Sequence, residues 1–221
     1  MRKGIVLVAA LVMTAPTVAS AGTIANTKHD LSPGSTNAVI KSTTQTDSCV
    51  FCHIAHNGGP AVSRPLWSHT LTSATLTWGS TGKTVRGTTI PTDILGTNLA
   101  GSRACMSCHD GTVAVGDLSL ASKGIDASVR GGNAPAGNLN QGVNYFAPAN
   151  MQTNHPLGIP KPGAVTGFTA FKTVVSTSAV NYDGLGNVQC DSCHNPHDNA
   201  FPPFLKINPA GGAICLTCHD V

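Results

Sequence analysis

Glutamate is absent from this chain: its ten acidic residues are all aspartate. Lysine is sparse as well, so two of the residues that most favour helix contribute little, and long solvent-facing helices are excluded. Aromatic residues make up only 5% of the 221 positions, while glycine and proline number 24 and 14. That balance argues against a large conventional side-chain core, which aromatic rings usually dominate. No basic cluster stands out among 13 Lys and Arg residues, and the formal charge is only +3. A nucleic-acid-binding face needs such clustering, so that class is set aside.

Long hydrophobic runs are missing too. The most apolar stretch is residues 4–13, GIVLVAALVM, half of the roughly 20 residues a spanning helix needs. Preceded by Arg2 and Lys3 and followed by Ala19-Ser20-Ala21, it reads as a secretory signal with a small-residue cleavage site. Residues 1–21 are therefore expected to be a signal peptide, and 22–221 one exported domain with no membrane span. Without Arg2 and Lys3, 11 basic residues face 10 acidic ones.

What the chain does have is cysteine in one arrangement. All eight cysteines fall in Cys-x-x-Cys pairs, each followed directly by histidine: Cys49 to His53, Cys105 to His109, Cys190 to His194 and Cys215 to His219. Zinc sites, disulfides and thioredoxin-like redox motifs also use paired cysteines. None of them requires histidine after every second cysteine, and nine histidines in 221 residues do not align four times by chance. The pattern is that of covalent haem c attachment. Two thiols held a short fixed distance apart add to two vinyl groups, and the next residue lies under the porphyrin, where an imidazole binds iron. Four haems c are thus expected, on Cys49, Cys52, Cys105, Cys108, Cys190, Cys193, Cys215 and Cys218, with His53, His109, His194 and His219 as proximal ligands. Their propionates would make the loaded protein acidic, and their rings would replace much of the missing core.

Five histidines remain for the opposite faces: His29, His56, His69, His155 and His197. His56 and His197 each follow a proximal histidine by three residues, too few to carry the chain around a porphyrin, so each is expected to serve a neighbouring haem. His155 sits in the turn-forming segment Asn154-His155-Pro156. His29 lies near the mature N-terminus, which a metal bond would tie down. His69 follows Trp67, which reads as packing on a porphyrin face, and it is taken as the spare by a modest margin over His29. A methionine ligand would raise the reduction potential, but only Met151 is placed for it, beside His155.

The motifs are separated by 56, 85 and 25 residues, with no repeated unit. Residues 201–205 (FPPFL) are expected to cover the last two haems. Residues 70–97 read as extended or irregular, 131–144 as a Gly/Asn-rich loop, and 170–189 as a short hairpin around Asn181-Tyr182-Asp183-Gly184. The fold class is therefore a multihaem cytochrome c, mostly coil with a few short α-helices leading into the motifs and minimal β-structure.

Taken together, Cys49 to Asn57, Pro65-Leu66-Trp67, Ser107 to Thr112, Asn154-His155-Pro156, Cys190 to His197 and Cys215 to Asp220 resemble the multihaem cytochromes with paired attachment motifs. The likeness is strongest to the extracellular tetrahaem type that polymerises into conductive filaments, the OmcE-type nanowire cytochromes of metal-reducing bacteria. The resemblance implies bis-histidine ligation throughout, with His29, His56, His155 and His197 as distal ligands. It also implies a homopolymer in which one distal histidine is donated between subunits. The expected function is electron transfer, not catalysis, through a secreted filament that receives electrons from redox partner cytochromes and passes them to an external acceptor. A monomeric periplasmic shuttle is the alternative, and a multihaem reductase, which needs an open iron, is a third reading.

Overall fold

The computed structural model describes residues 23–38, 40–54, 56, 66–79, 84–85, 88–118, 129–131, 146–161 and 180–220. The expected signal peptide, nearly all of the Gly/Asn-rich loop and the first half of the expected hairpin lie outside the described residues.

Regular structure is scarce, as the composition requires. Among the described residues there are two short α-helices, α1 (Arg103–His109) and α2 (Cys190–Cys193). Three antiparallel strand pairs, each two or three residues long, join β1 (Ile40–Ser42) to β4 (Val129–Gly131), β2 (Thr84–Val85) to β3 (Thr88–Thr89), and β5 (Ile159–Pro160) to β6 (Asn187–Val188). Among the described residues no helix is long and apolar enough to cross a membrane.

Helical turns coincide with the attachment motifs and do not merely lead into them. The first motif lies on a 3-10 turn, Ser48–Phe51, the second on α1, the third on α2 and the fourth on a 3-10 turn, Cys215–Thr217. Cys-x-x-Cys on a helical turn places both side chains on one face, which is what two thiols bound for one porphyrin edge need. Asp47 caps the first turn by accepting from the Cys49 N–H at 2.9 Å. Gln189 and Ser192 form a reciprocal capping box on α2.

Side-chain packing is more developed than the composition suggests. Leu76, Trp78, Ile90, Ile94, Leu99, Met106, Met151, Leu157, Ile159 and Val188 form one buried cluster. A second gathers Ile40, Phe51, Val115 and Leu118. The first cluster backs the second motif through Met106 on the buried side of α1; the second lies against Cys108 and Val50. Met151, the alternative ligand, is fully buried in the first cluster, with Asn154 Nδ2 lying 3.8 Å from its sulfur.

The expected hairpin is different in its described half. Asp183 closes an Asx-type turn by accepting from Leu185 N and Asn187 N at 2.9 and 2.8 Å. The strand that follows, β6, pairs with β5 from residues 159–160.

A buried polar staple joins the second and third motifs. Ser102, which precedes α1, donates its hydroxyl to Gln189 Oε1 at 2.6 Å, and Gln189, which precedes α2, donates its amide to Asn98 O and Asp183 Oδ2, both at 2.7 Å. Gly101 allows this approach, since a Cβ there would sit 2.7 Å from Gln189 Cγ.

Candidate haem-binding site

No two of the eight cysteines are joined as a disulfide. Burial pushes the Cys52 and Cys108 thiols up to about 12, with the Cys108 sulfur adding to the shift at Cys52 and the Asp110 carboxylate adding to that at Cys108. Cys193 is raised by burial and then by Cys218. The thiols therefore influence each other in two groups, first motif with second and third with fourth. Cys49 and Cys215, which begin the first and last motifs, are exposed.

The imidazoles come together in pairs. His53 faces His197 with ring centroids 6.0 Å apart, His109 faces His29 at 5.9 Å, and His219 faces His155 at 6.5 Å. A metal–imidazole bond of about 2 Å, plus about 1.1 Å from nitrogen to ring centre on each side, separates two axial imidazole centroids by about 6.2 Å. Each pair thus matches the span of two ligands on opposite faces of one iron. Among the described residues no group of three or more His, Cys or Asp is placed to hold a bare metal ion. Pairs with an open equator suit a macrocycle that supplies its own four nitrogens.

Hydrogen bonds orient several of these rings. His155 Nδ1 lies 2.9 Å from Pro156 O and His194 Nδ1 lies 2.9 Å from Pro203 O, whereas His29 Nδ1, 3.5 Å from Pro196 O, is only weakly directed. An Nδ1–H donated to a carbonyl fixes the tautomer and leaves Nε2 as the ligating atom. In each case the acceptor belongs to a proline, which offers a carbonyl on a rigid backbone. His69 differs: it is fully buried, and its Nδ1 and Nε2 lie against Thr70 O and Val115 O at 2.8 and 3.2 Å. Neither of its nitrogens faces an opening.

His29 is lowered to about 4, first by burial and then by the neighbouring His109. It is therefore neutral across the physiological range, the state in which imidazole binds a metal. His56 and His194 are exposed, and the described residues bring no second imidazole into ring contact with either. Trp67 stands edge-on to His53 at 5.8 Å, and Phe146 edge-on to His109 at 6.3 Å.

Among the described residues three buried side-chain polar atoms lack hydrogen-bond partners: Trp67 Nε1, Arg103 Nε and Asp110 Oδ2. All lie beside the first two motifs, Trp67 against His53 and the other two at the start and end of α1. Orphaned buried donors call for a missing acceptor, and a haem propionate is an acceptor of the right kind for the indole and guanidinium. The residues present therefore fit covalently bound haem.

Sequence reasoning did not find the proline carbonyls or Phe146; Phe204 lies in the 201–205 segment expected to cover the last two haems, and its ring stacks on His29 at 4.2 Å. The only signal was proline beside histidine, in Asn195-Pro196-His197 and His155-Pro156.

No curated protein matches the chain. Residues 185–221 match the family described as the doubled CXXCH motif, and this match to the third and fourth motifs, with the same motif twice more upstream, supports a multihaem c-type cytochrome that carries haem c and transfers electrons.

Proposed function

We propose that the chain binds four haems c, each between two histidines, and conducts electrons along them as a subunit of a secreted filament. The observation that carries this reading is the set of three imidazole pairs at 5.9, 6.0 and 6.5 Å. In this assignment His53 works with His197, His109 with His29, and His219 with His155. His194 takes His56, so that two histidines each three residues past a proximal ligand serve each other's haems. His69 is the spare, because carbonyl oxygens occupy both of its nitrogens.

Covalently bound haem supplies a one-electron carrier that cannot diffuse away. The protein's part is to hold neutral imidazoles in place, fix their tautomers through proline carbonyls, and keep successive motifs close. His197 spans from the third motif to the first, and the grouped thiols tie first to second and third to fourth. Two histidines on every iron leave no position for a substrate, which disfavours a reductase. Bis-histidine ligation without methionine also favours low potentials.

The filament itself rests on the resemblance to OmcE-type cytochromes. Mass analysis of native protein is expected to show the mature chain plus four haems, and electron paramagnetic resonance of the oxidised protein only low-spin iron. A high-spin signal of one haem or more would overturn saturated ligation. Electron microscopy of secreted material is expected to show polymers; discrete monomers would assign the chain to a shuttle.

A further inference from the structure

His29 is held differently from the other oriented histidines. Its Nδ1 contact with Pro196 O is 3.5 Å, against 2.9 Å at His155 and His194, a length at which a hydrogen bond directs little. The Phe204 ring does more: it stacks on the His29 imidazole with centroids 4.2 Å apart and planes 15° from parallel. Phe204 is 7% exposed and its backbone sits at φ 60°, a left-handed conformation that bulky residues rarely adopt. Hydrogen bonds hold it there, from Phe204 N to Asn199 Oδ1 and from Asn195 N to Phe204 O, both 2.8 Å. Strained residues fixed by their surroundings in this way concentrate at ligand clamps. Beyond His29, at 5.9 Å, is His109, with the two planes crossed by 68°. The corresponding angle is 30° at the first motif and 75° at the fourth.

We infer that Phe204 is a positioning residue: it sets the plane of the His29 imidazole, and so keeps the axial rings crossed at the haem carried by Cys105 and Cys108. The inference rests on His29 and His109 being the ligands of that haem. Crossed and parallel axial imidazoles split the iron d orbitals differently, so the angle is read in the g-values of ferric low-spin iron. Phe204 belongs to the segment after the third motif, so one haem's electronic state depends on a loop of another.

The test is electron paramagnetic resonance of the fully oxidised, haem-loaded protein carrying Phe204→Leu, Phe204→Tyr or His29→Gly. Phe204→Leu is expected to keep four low-spin haems while one haem's signal, a quarter of the intensity, moves to lower g. Phe204→Tyr, which can stack as phenylalanine does, is expected to return it. A Phe204→Leu spectrum identical to wild type, a shift spread over several haems, or no recovery in Phe204→Tyr would each overturn the role. His29→Gly separates the two levels. Four remaining low-spin haems there would refute the ligand assignment itself, whereas one high-spin haem beside an unchanged Phe204→Leu spectrum would refute only the positioning. If Phe204→Leu does not accumulate, the wild-type protein decides. Overhauser contacts between Phe204 ring protons and the paramagnetically shifted His29 protons support the role, and their absence overturns it.

Discussion

A histidine is a ligand or a structural residue according to what its second nitrogen meets. His155 has one nitrogen on Pro156 O and its ring 6.5 Å from His219. His69 has both nitrogens on carbonyls and no exposure. Substituting the two should therefore give opposite signatures. His155→Ala is expected to turn one haem in four high-spin, seen by resonance Raman or paramagnetic resonance, with a small change in overall stability. His69→Phe is expected to leave every haem low-spin and to cost about 1–3 kcal/mol in denaturant unfolding, because the carbonyl that accepts the ring's single N–H, Thr70 O or Val115 O, loses that donor. A high-spin haem in His69→Phe would exchange the roles of the two residues.

Among elements, the important joint is between α1 and α2. The motif helices are too short to be stable alone, so their relative placement depends on the staple formed by Ser102 and Gln189. Gln189→Ala removes hydrogen bonds to Ser102, Asn98 and Asp183 in a buried place. It is expected to lower stability by about 1–3 kcal/mol, read by the Soret circular dichroism during denaturation. Gly101→Val attacks the same joint sterically. A Cβ there meets Gln189 Cγ at 2.7 Å, and Gln189 cannot retreat because its amide is bound at both ends. A cost of about 1–3 kcal/mol is expected from overpacking. If both variants unfold as the parent does, the two motifs are held by their haems and not by the staple.

This level also shows what the sequence disclosed. The four Cys-x-x-Cys-His motifs were legible because thioether chemistry needs Cys, Cys and His contiguous, and the shortness of the helices among the described residues agrees with the missing glutamate. Which imidazole meets which was not legible, because His29 reaches His109 and His155 reaches His219 across 80 and 64 positions of irregular chain. Nor was the cluster around Met106 and Met151 legible: coil residues carry no 3.6-residue period to reveal which side is buried. The segment that holds Phe204 was legible as a cover, but its stacking on His29 was not, the φ of 60° being a tertiary outcome and not a propensity.

On the scale of the whole molecule the N-terminal segment is closed against the last third of the chain. His29 reaches His109 on one side and is covered by Phe204 on the other. Two residues on, the chain is anchored again, by Ser42 N donating to Leu31 O at 2.7 Å and by Leu31 packing on the second cluster. The segment before Leu31 has mainly its own turns, such as Asn26 N to Asp30 Oδ2 at 2.8 Å, apart from the grip on His29 and contacts from residues 35–37. Local opening is cheapest where long-range contacts are few. His29→Ala should therefore speed amide hydrogen exchange sharply over residues 24–30 and little from Leu31 through Ser42. Equal acceleration of both stretches would mean that the metal ligand anchors the entire N-terminal region. No acceleration would mean that the turns alone fix it, and the proposed bond from His29 to the second haem would then serve electron transfer without holding the fold.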